Sequence, residues 1–237
     1  MAQRVRKLVA VAGINGEIRP LEQLFEELPG RSADAIAVIG DLGAPWSKAD
    51  TYRAIFRVLG EGNRPTFWVP GATDAPLRDY LRESYNMEIA YPHLRGVHGT
   101  VALAPGDVLF AGMGGEISDD PETIRAEEAL LRYPGWEVEY RLKVIREFDA
   151  REQVFLFTTP PAHKGLREPG SEVLAELIKT YNPRLALVGG AEPAQEELAR
   201  TLVVCPGRLD NGHYAVVDLG ARSVEAGTLT PKAAVGG

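Results

Sequence analysis

Asp41 is the residue whose surroundings point most directly to chemistry. It stands in Gly40-Asp41-Leu42-Gly43, straight after the apolar run Ala35–Ile39. A carboxylate in a loop at a strand end can ligate a hard cation or accept from backbone amides. Three similar blocks follow other apolar runs: Gly13-Ile14-Asn15-Gly16, Gly71-Ala72-Thr73-Asp74 and Gly189-Gly190-Ala191-Glu192. A fifth, Thr158-Thr159-Pro160-Pro161, is followed closely by His163. Asn15 and Glu192 each carry an oxygen donor. With Asp41 they form a candidate set for one weakly held divalent cation, Mn or Mg. Asn15-Gly16 also precedes a helical pattern, where free amides can cradle an anion. Asn15, Gly16, Asp41, Thr73 and His163 are therefore the candidate ligand-binding residues.

Plainer roles compete with each of these. Asp41 is also suited to capping a loop, Asn15-Gly16 to forming a turn, and Glu192 to facing solvent. Asp74, just ahead of Ala75-Pro76, reads as a helix N-cap. Glu116 follows a strand and reads as a loop residue. Cys205 lacks a charged partner and reads as a buried, inert thiol. No phosphate-binding Gly-Lys-Ser/Thr loop, dinucleotide fingerprint, nucleophile elbow or zinc-finger spacing occurs in the sequence.

The elements that must position these loops follow from periodicity. Leu8–Ala12, Ala35–Ile39 and Thr66–Val69 read as buried strands, each followed by a helical pattern. Three strand–helix units in a row imply parallel strands with right-handed crossovers. The pattern then changes. Val97–Leu103 and Val108–Ala111 flank Pro105-Gly106-Asp107 as a hairpin. Residues 120–148 read as helical, with Trp136 and Tyr140 either packing onto the sheet or marking a partner surface. Gln153–Phe157 and Leu185–Val188 read as strands around a helix over Ser171–Tyr181. Val203-Val204, His213–Asp218 and about Arg222–Leu229 close the chain as strands.

The order and context of the loop blocks resemble the calcineurin-like metallophosphoesterases, over about Leu8 to Leu219. That family reads Asp-x-His-Gly, Gly-Asp, Gly-Asn-His-Asp, His-x-Pro-Pro and Gly-His-x-His in turn. Val203–Gly207 and Gly212–Asp218 resemble its closing block and strand. The resemblance implies an α/β fold: a four-layer αββα sandwich of two mixed β-sheets flanked by helices, over residues 1–230, with 231–237 a frayed tail.

In that family two divalent metals clamp a phosphate and activate a water. Position by position, Gly13 stands for the first aspartate and Asn15 for its histidine. Ala72 stands for the asparagine, and Thr73 for the histidine acid beside Asp74. Thr158, Gly190 and Glu192 stand for the remaining histidines. Among the metal-ligand positions Asp41 alone keeps the family's residue. The resemblance therefore implies a degenerate centre and a binding or regulatory protein. The alternative is an active phosphoesterase with a rebuilt single-metal site, joined by Glu116 or His163.

Composition bounds the partners. A net charge of -7 without a basic run argues against non-specific nucleic-acid binding, though it leaves room for a local basic patch. The expected partner is a phosphorylated small molecule or a protein, with a homo-oligomer also open. No run approaches the ~20 apolar residues of a membrane span. The single cysteine suits a reducing cytoplasm.

Overall fold

Nearly every residue of the central strands is apolar, and in the computed structural model both faces of those strands are covered. The structure describes residues 4–28, 33–74, 77–120, 131–167 and 169–230. The N-terminal half supplies β1 (Lys7–Ala12), α1 (Ile18–Glu27), β2 (Ala35–Ile39), α2 (Ala49–Glu61), β3 (Thr66–Val69), α3 (Leu77–Ala90) and β4 (Leu94–Gly96). Next come β5 (Thr100–Ala104), β6 (Val108–Met113), β7 (Glu116–Ser118), β8 (Arg132–Pro134) and α4 (Gly135–Leu142). The rest comprises β9 (Glu152–Phe157), α5 (Glu172–Tyr181), β10 (Leu185–Val188), β11 (Pro193–Leu198), β12 (Thr201–Pro206), β13 (His213–Asp218) and β14 (Ser223–Thr228).

Two six-stranded mixed sheets result, ordered β14-β13-β1-β2-β3-β4 and β11-β12-β10-β9-β6-β5. Strands β1 to β4 pair in parallel, as do β6, β9, β10 and β12. Side-chain parity then sorts the core. Leu8, Ala10, Ala37 and Phe67 face Phe110, Leu156 and Leu187 between the sheets. The ring of Phe67 stacks on that of Phe110 at 3.8 Å between centroids. Truncating either ring to alanine is expected to cost about 3–5 kcal/mol. The alternate residues Val9, Val11, Val38 and Trp68 meet Leu21, Leu24, Ile55 and Phe56 of α1 and α2. On the far side Phe155, Phe157 and Val188 meet Leu174, Leu177 and Ile178 of α5. The architecture is the expected αββα sandwich.

The middle and late segments depart from the sequence reading. Among the described residues, the helix expected over 120–148 is limited to α4 and a 3-10 turn at Lys143–Glu147, and Arg132–Pro134 instead pairs in parallel with Glu116–Ser118; residues 121–130 lie outside the described residues, as does the tail 231–237. Trp136 and Tyr140 do not pack onto the sheet; they are 66% and 74% exposed. Strand β11 carries no apolar alternation because it is a sheet edge whose side chains mostly face solvent. No described helix is long and apolar enough to cross a membrane.

Candidate functional site

The loops at the carboxyl ends of β1, β2 and β3 are zipped together by their backbones. Gly13 N–H donates to Gly40 O at 3.3 Å, Asn15 N–H to Asp41 O at 2.8 Å, and Gly16 N–H to Leu42 O at 2.8 Å. Asn15, at φ 51°, and Asp41, at φ 47°, both hold left-handed backbone, which Asn and Asp tolerate better than most residues. Asn15-Gly16 therefore forms a turn ahead of α1, and Glu17 precedes the helix without a side-chain cap.

Asp74 locks these loops from within. Its Oδ1 accepts from Gly43 N–H at 2.7 Å. Its Oδ2 accepts from Gly71 N–H at 2.7 Å and from Leu42 N–H at 3.1 Å. It is fully buried, and burial pushes its carboxyl up to about 7 against the pull of the three amides. The expected helix cap is corrected: the carboxylate is spent on joining the loop after β3 to the loop after β2.

Asp41 is engaged from the same direction. Thr73 Oγ1 lies 2.8 Å from Asp41 Oδ1 and 3.1 Å from Gly43 O, and the Thr73 N–H lies 3.4 Å from the same Oδ1. On the other side stands a group that sequence reasoning passed over. Arg208 lies across Gly13, so a Cβ built on Gly13 would meet Arg208 Cγ at 2.9 Å. The guanidinium pairs with Asp210 through both Nε, at 3.0 Å, and Nη2. Asn15 Nδ2 donates to the same carboxylate at 2.9 Å. Burial acts upward on Asp210, but the bonds from Arg208 and Asn15 outweigh it and hold the carboxyl below the ordinary range. The bond to Asp210 likewise raises Arg208, and the charge of Asp41 adds to that effect.

Across the sandwich, Thr158 Oγ1 donates to Pro70 O at 3.0 Å and Gly115 N–H donates to the same oxygen at 2.8 Å. The two sheets thus meet at the Pro70-Gly71 corner. Nearby, Gly114 N–H donates to His98 Nδ1 at 3.0 Å. That bond makes Nδ1 the acceptor and leaves the ring proton on Nε2, 3.2 Å from Tyr133 Oη. Burial first, then the charge of Arg141, pushes His98 down to about 4.

A family model described as metallophosphoesterase, calcineurin superfamily, matches residues 1–229. The chain belongs to this family. It is 44% identical to TT1561 of Thermus thermophilus, whose crystal structure superposes with a TM-score of 0.90 over 95% of this chain and all of that one. The calcineurin-like phosphoesterase YfkN from Bacillus subtilis is 12% identical with a TM-score of 0.60, over 91% of this chain and 85% of that one. A novel archaeal phosphodiesterase is 10% identical with a TM-score of 0.56, over 94% and 99%. The last two likenesses show the fold alone. No curated protein matches the sequence.

Against the metallophosphoesterase pattern, the position of the first aspartate is Gly13, overlain by Arg208. The position of a late histidine is Gly190, where a built Cβ would meet Cys205 Sγ at 2.6 Å. That thiol donates to Glu192 O at 3.2 Å, and burial pushes its pKa up. Glu192 turns its carboxylate outward: it is 78% exposed, with Oε2 3.9 Å from His213 Nε2. Glu116 is a strand residue rather than a loop residue, and pairs with Arg132 Nε at 2.9 Å. His163 lines a separate shallow depression with Lys164, Pro169 and Glu172. The structure thus brings Asn15, Gly16, Asp41 and Thr73 together, and places Glu192, Glu116 and His163 in other surroundings. Among the described residues no three His, Cys, Asp or Glu side chains converge as a metal site would require.

Proposed function

We propose that this metallophosphoesterase-family protein is a non-hydrolytic binding or regulatory protein, with a degenerate centre that does not take up the family's metal pair. The observation that carries the reading is Arg208. Its aliphatic stem covers Gly13, its guanidinium bonds to Asp210, and its fixed positive charge interacts with the negative charge of Asp41. A permanent cation there competes with a divalent metal for the same carboxylate. Cys205 fills the space beside Gly190 in a comparable way. A catalytic metal needs at least three protein ligands in fixed geometry, and Asp41 with Asn15 supplies two ligand side chains.

The residues present therefore do not fit a dinuclear centre. What the site offers a ligand instead is the Arg208 guanidinium, because the loop amides are already bonded within the protein. That chemistry suits a phosphorylated small molecule. The exposed row Trp136, Tyr140 and Val144 on α4 and the turn after it supports a protein partner instead. The test is turnover of a chromogenic phosphodiester in excess Mn by the wild type, with Asp41→Ala alongside. Turnover indistinguishable from that of the variant is expected. Turnover abolished by Asp41→Ala overturns the reading and restores a rebuilt metal site.

A further inference from the structure

At the opposite end of the second sheet, where its strands begin, the molecule carries a basin of another kind. It occupies about 530 Å³ and is lined by Arg151, Glu152, Gln153, Arg184, Arg200 and Arg222, together with the end of α5. The topology gathers these residues from distant parts of the chain. Arg151 and Arg184 immediately precede β9 and β10. Arg200 sits in the β11–β12 turn, and Arg222, at φ 53°, in the turn before β14. Four guanidiniums in one concavity are unexpected in a chain of net charge -7.

Their mutual repulsion is only partly relieved within the protein. Glu152 is held between Arg4 Nη2 at 3.5 Å and Arg184 Nε at 3.6 Å. Arg184 is fixed by the carbonyls of Leu219 and Gly220, each at 2.8 Å. Arg222 Nη2 donates to Glu197 Oε1 and to Arg200 O, both at 3.0 Å. Three polar atoms here nevertheless stay buried with no hydrogen-bond partner: the donors Arg222 Nε and Arg4 Nε and the acceptor Gln153 Oε1. Buried polar atoms are nearly always satisfied, so orphaned donors and an orphaned acceptor around one basin point to a missing partner. That partner needs anionic oxygens for the guanidiniums and one hydroxyl or amine hydrogen for Gln153.

We infer that this basin is a binding site for a small polyphosphorylated compound whose carrier bears a hydroxyl group. Arginine's planar fork matches phosphate oxygens, and its charge persists at any physiological pH. The basin has room for two or more phosphate groups. The carboxyl end of α5 contributes a partial negative charge at the rim. The four guanidiniums outnumber the Glu152 and Glu197 carboxylates paired with them and outweigh it. The concave shape and the chain's net charge of -7 favour a compact ligand over an extended nucleic-acid backbone. The assignment stands whether or not the other end of the sheets turns over phosphate.

Calorimetric titration of the full chain with inorganic triphosphate and with ATP, in EDTA so that no metal contributes, tests it. Both probes are expected to bind, with ATP the tighter because its ribose hydroxyls supply the kind of donor that Gln153 Oε1 lacks. Affinity should fall as salt rises from about 50 to about 200 mM, since exposed charge pairs are screened. The variant Arg151→Ser/Arg200→Ser changes two exposed side chains, so the fold is expected to persist, and affinity should drop at least tenfold, roughly 1.4 kcal/mol. Arg200→Glu should weaken binding further than Arg200→Ser. Absence of binding by the wild type at millimolar probe, or undiminished binding by the double variant, overturns the proposal. Tighter binding of a single-stranded oligonucleotide than of triphosphate overturns the small-ligand assignment in favour of a nucleic-acid backbone.

Discussion

The two ends of the sheets treat charge in opposite ways. At the carboxyl ends of β1 to β3, the loop carboxylates have found partners inside the protein: Asp74 has three amides, Asp41 has Thr73, and Asp210 has Arg208 and Asn15. At the beginnings of β9, β10 and β12, four arginines crowd together, and Arg222 Nε and Gln153 Oε1 are buried without partners. In open α/β sheets the first kind of end is where ligands are expected. Here the carboxylates of that end are already engaged, and Tyr52 Oη beside Gly43 is the buried polar atom left without a partner. A fold places its loops, but whether a loop set binds anything depends on which polar groups the sequence leaves unspent.

The strongest way to break the contrast is to remove the group that closes the first end. Asp74→Ala leaves three backbone donors without their acceptor, two of them in the loop that carries Asp41. Each stranded buried donor costs about 1–3 kcal/mol, with some relaxation, so a loss of about 3–5 kcal/mol is expected in urea unfolding. A loss below about 1 kcal/mol would mean that the loops hold together without this carboxylate.

A second prediction concerns pH. His98 is pushed down from its ordinary value to about 4, so the unfolded chain binds the proton more readily than the native one. Its contribution is therefore fully present above about pH 6.5 and is lost as pH falls toward 4. The span corresponds to roughly 3 kcal/mol. Unfolding measured across that window should show the slope in the wild type and a flatter one in His98→Gln. An equal slope in both would place the acid sensitivity elsewhere.

The smallest effect sharpens the comparison most. Gly13→Asp restores the family's residue type, yet it forces a side chain onto a backbone at φ 58° and against Arg208. A cost of about 1–2 kcal/mol is expected. The new carboxylate should pair with Arg208 rather than gather a metal. A gain of Mn-dependent phosphodiester turnover in this variant would show that the guanidinium does not stand in the way.

Much of the fold was legible because the core strands are covered on both faces, so they appear as unbroken apolar runs. Ala35–Ile39 and Thr66–Val69 were readable to the residue for that reason. Strand β11 was not, because an edge strand with exposed side chains carries no apolar alternation. Arg132–Pro134 was hidden inside a charged stretch, because its pairing with Glu116–Ser118 is a tertiary fact. At the candidate site, the ligand substitutions Gly13, Ala72 and Gly190 were visible position by position. Their consequence was not. Arg208 and Asp210 lie 195 residues from their neighbours Gly13 and Asn15, as the Asn15–Asp210 bond shows. The available signal was an arginine just after Pro206-Gly207 in a chain that lacks a carboxylate at position 13. Asp74 was misread because a residue before a proline at a helix start looks like a cap, whatever its carboxylate reaches in three dimensions.

Whether a fixed guanidinium, rather than a metal pair, accompanies Asp41 is measured most directly by electron paramagnetic resonance of Mn added to metal-stripped protein, because bound Mn leaves the free-ion signal. Added Mn is expected to stay in the free signal at stoichiometric concentration, and equally so in Asp41→Ala. One or two Mn ions taken up per chain by the wild type and released by Asp41→Ala would contradict the guanidinium's role.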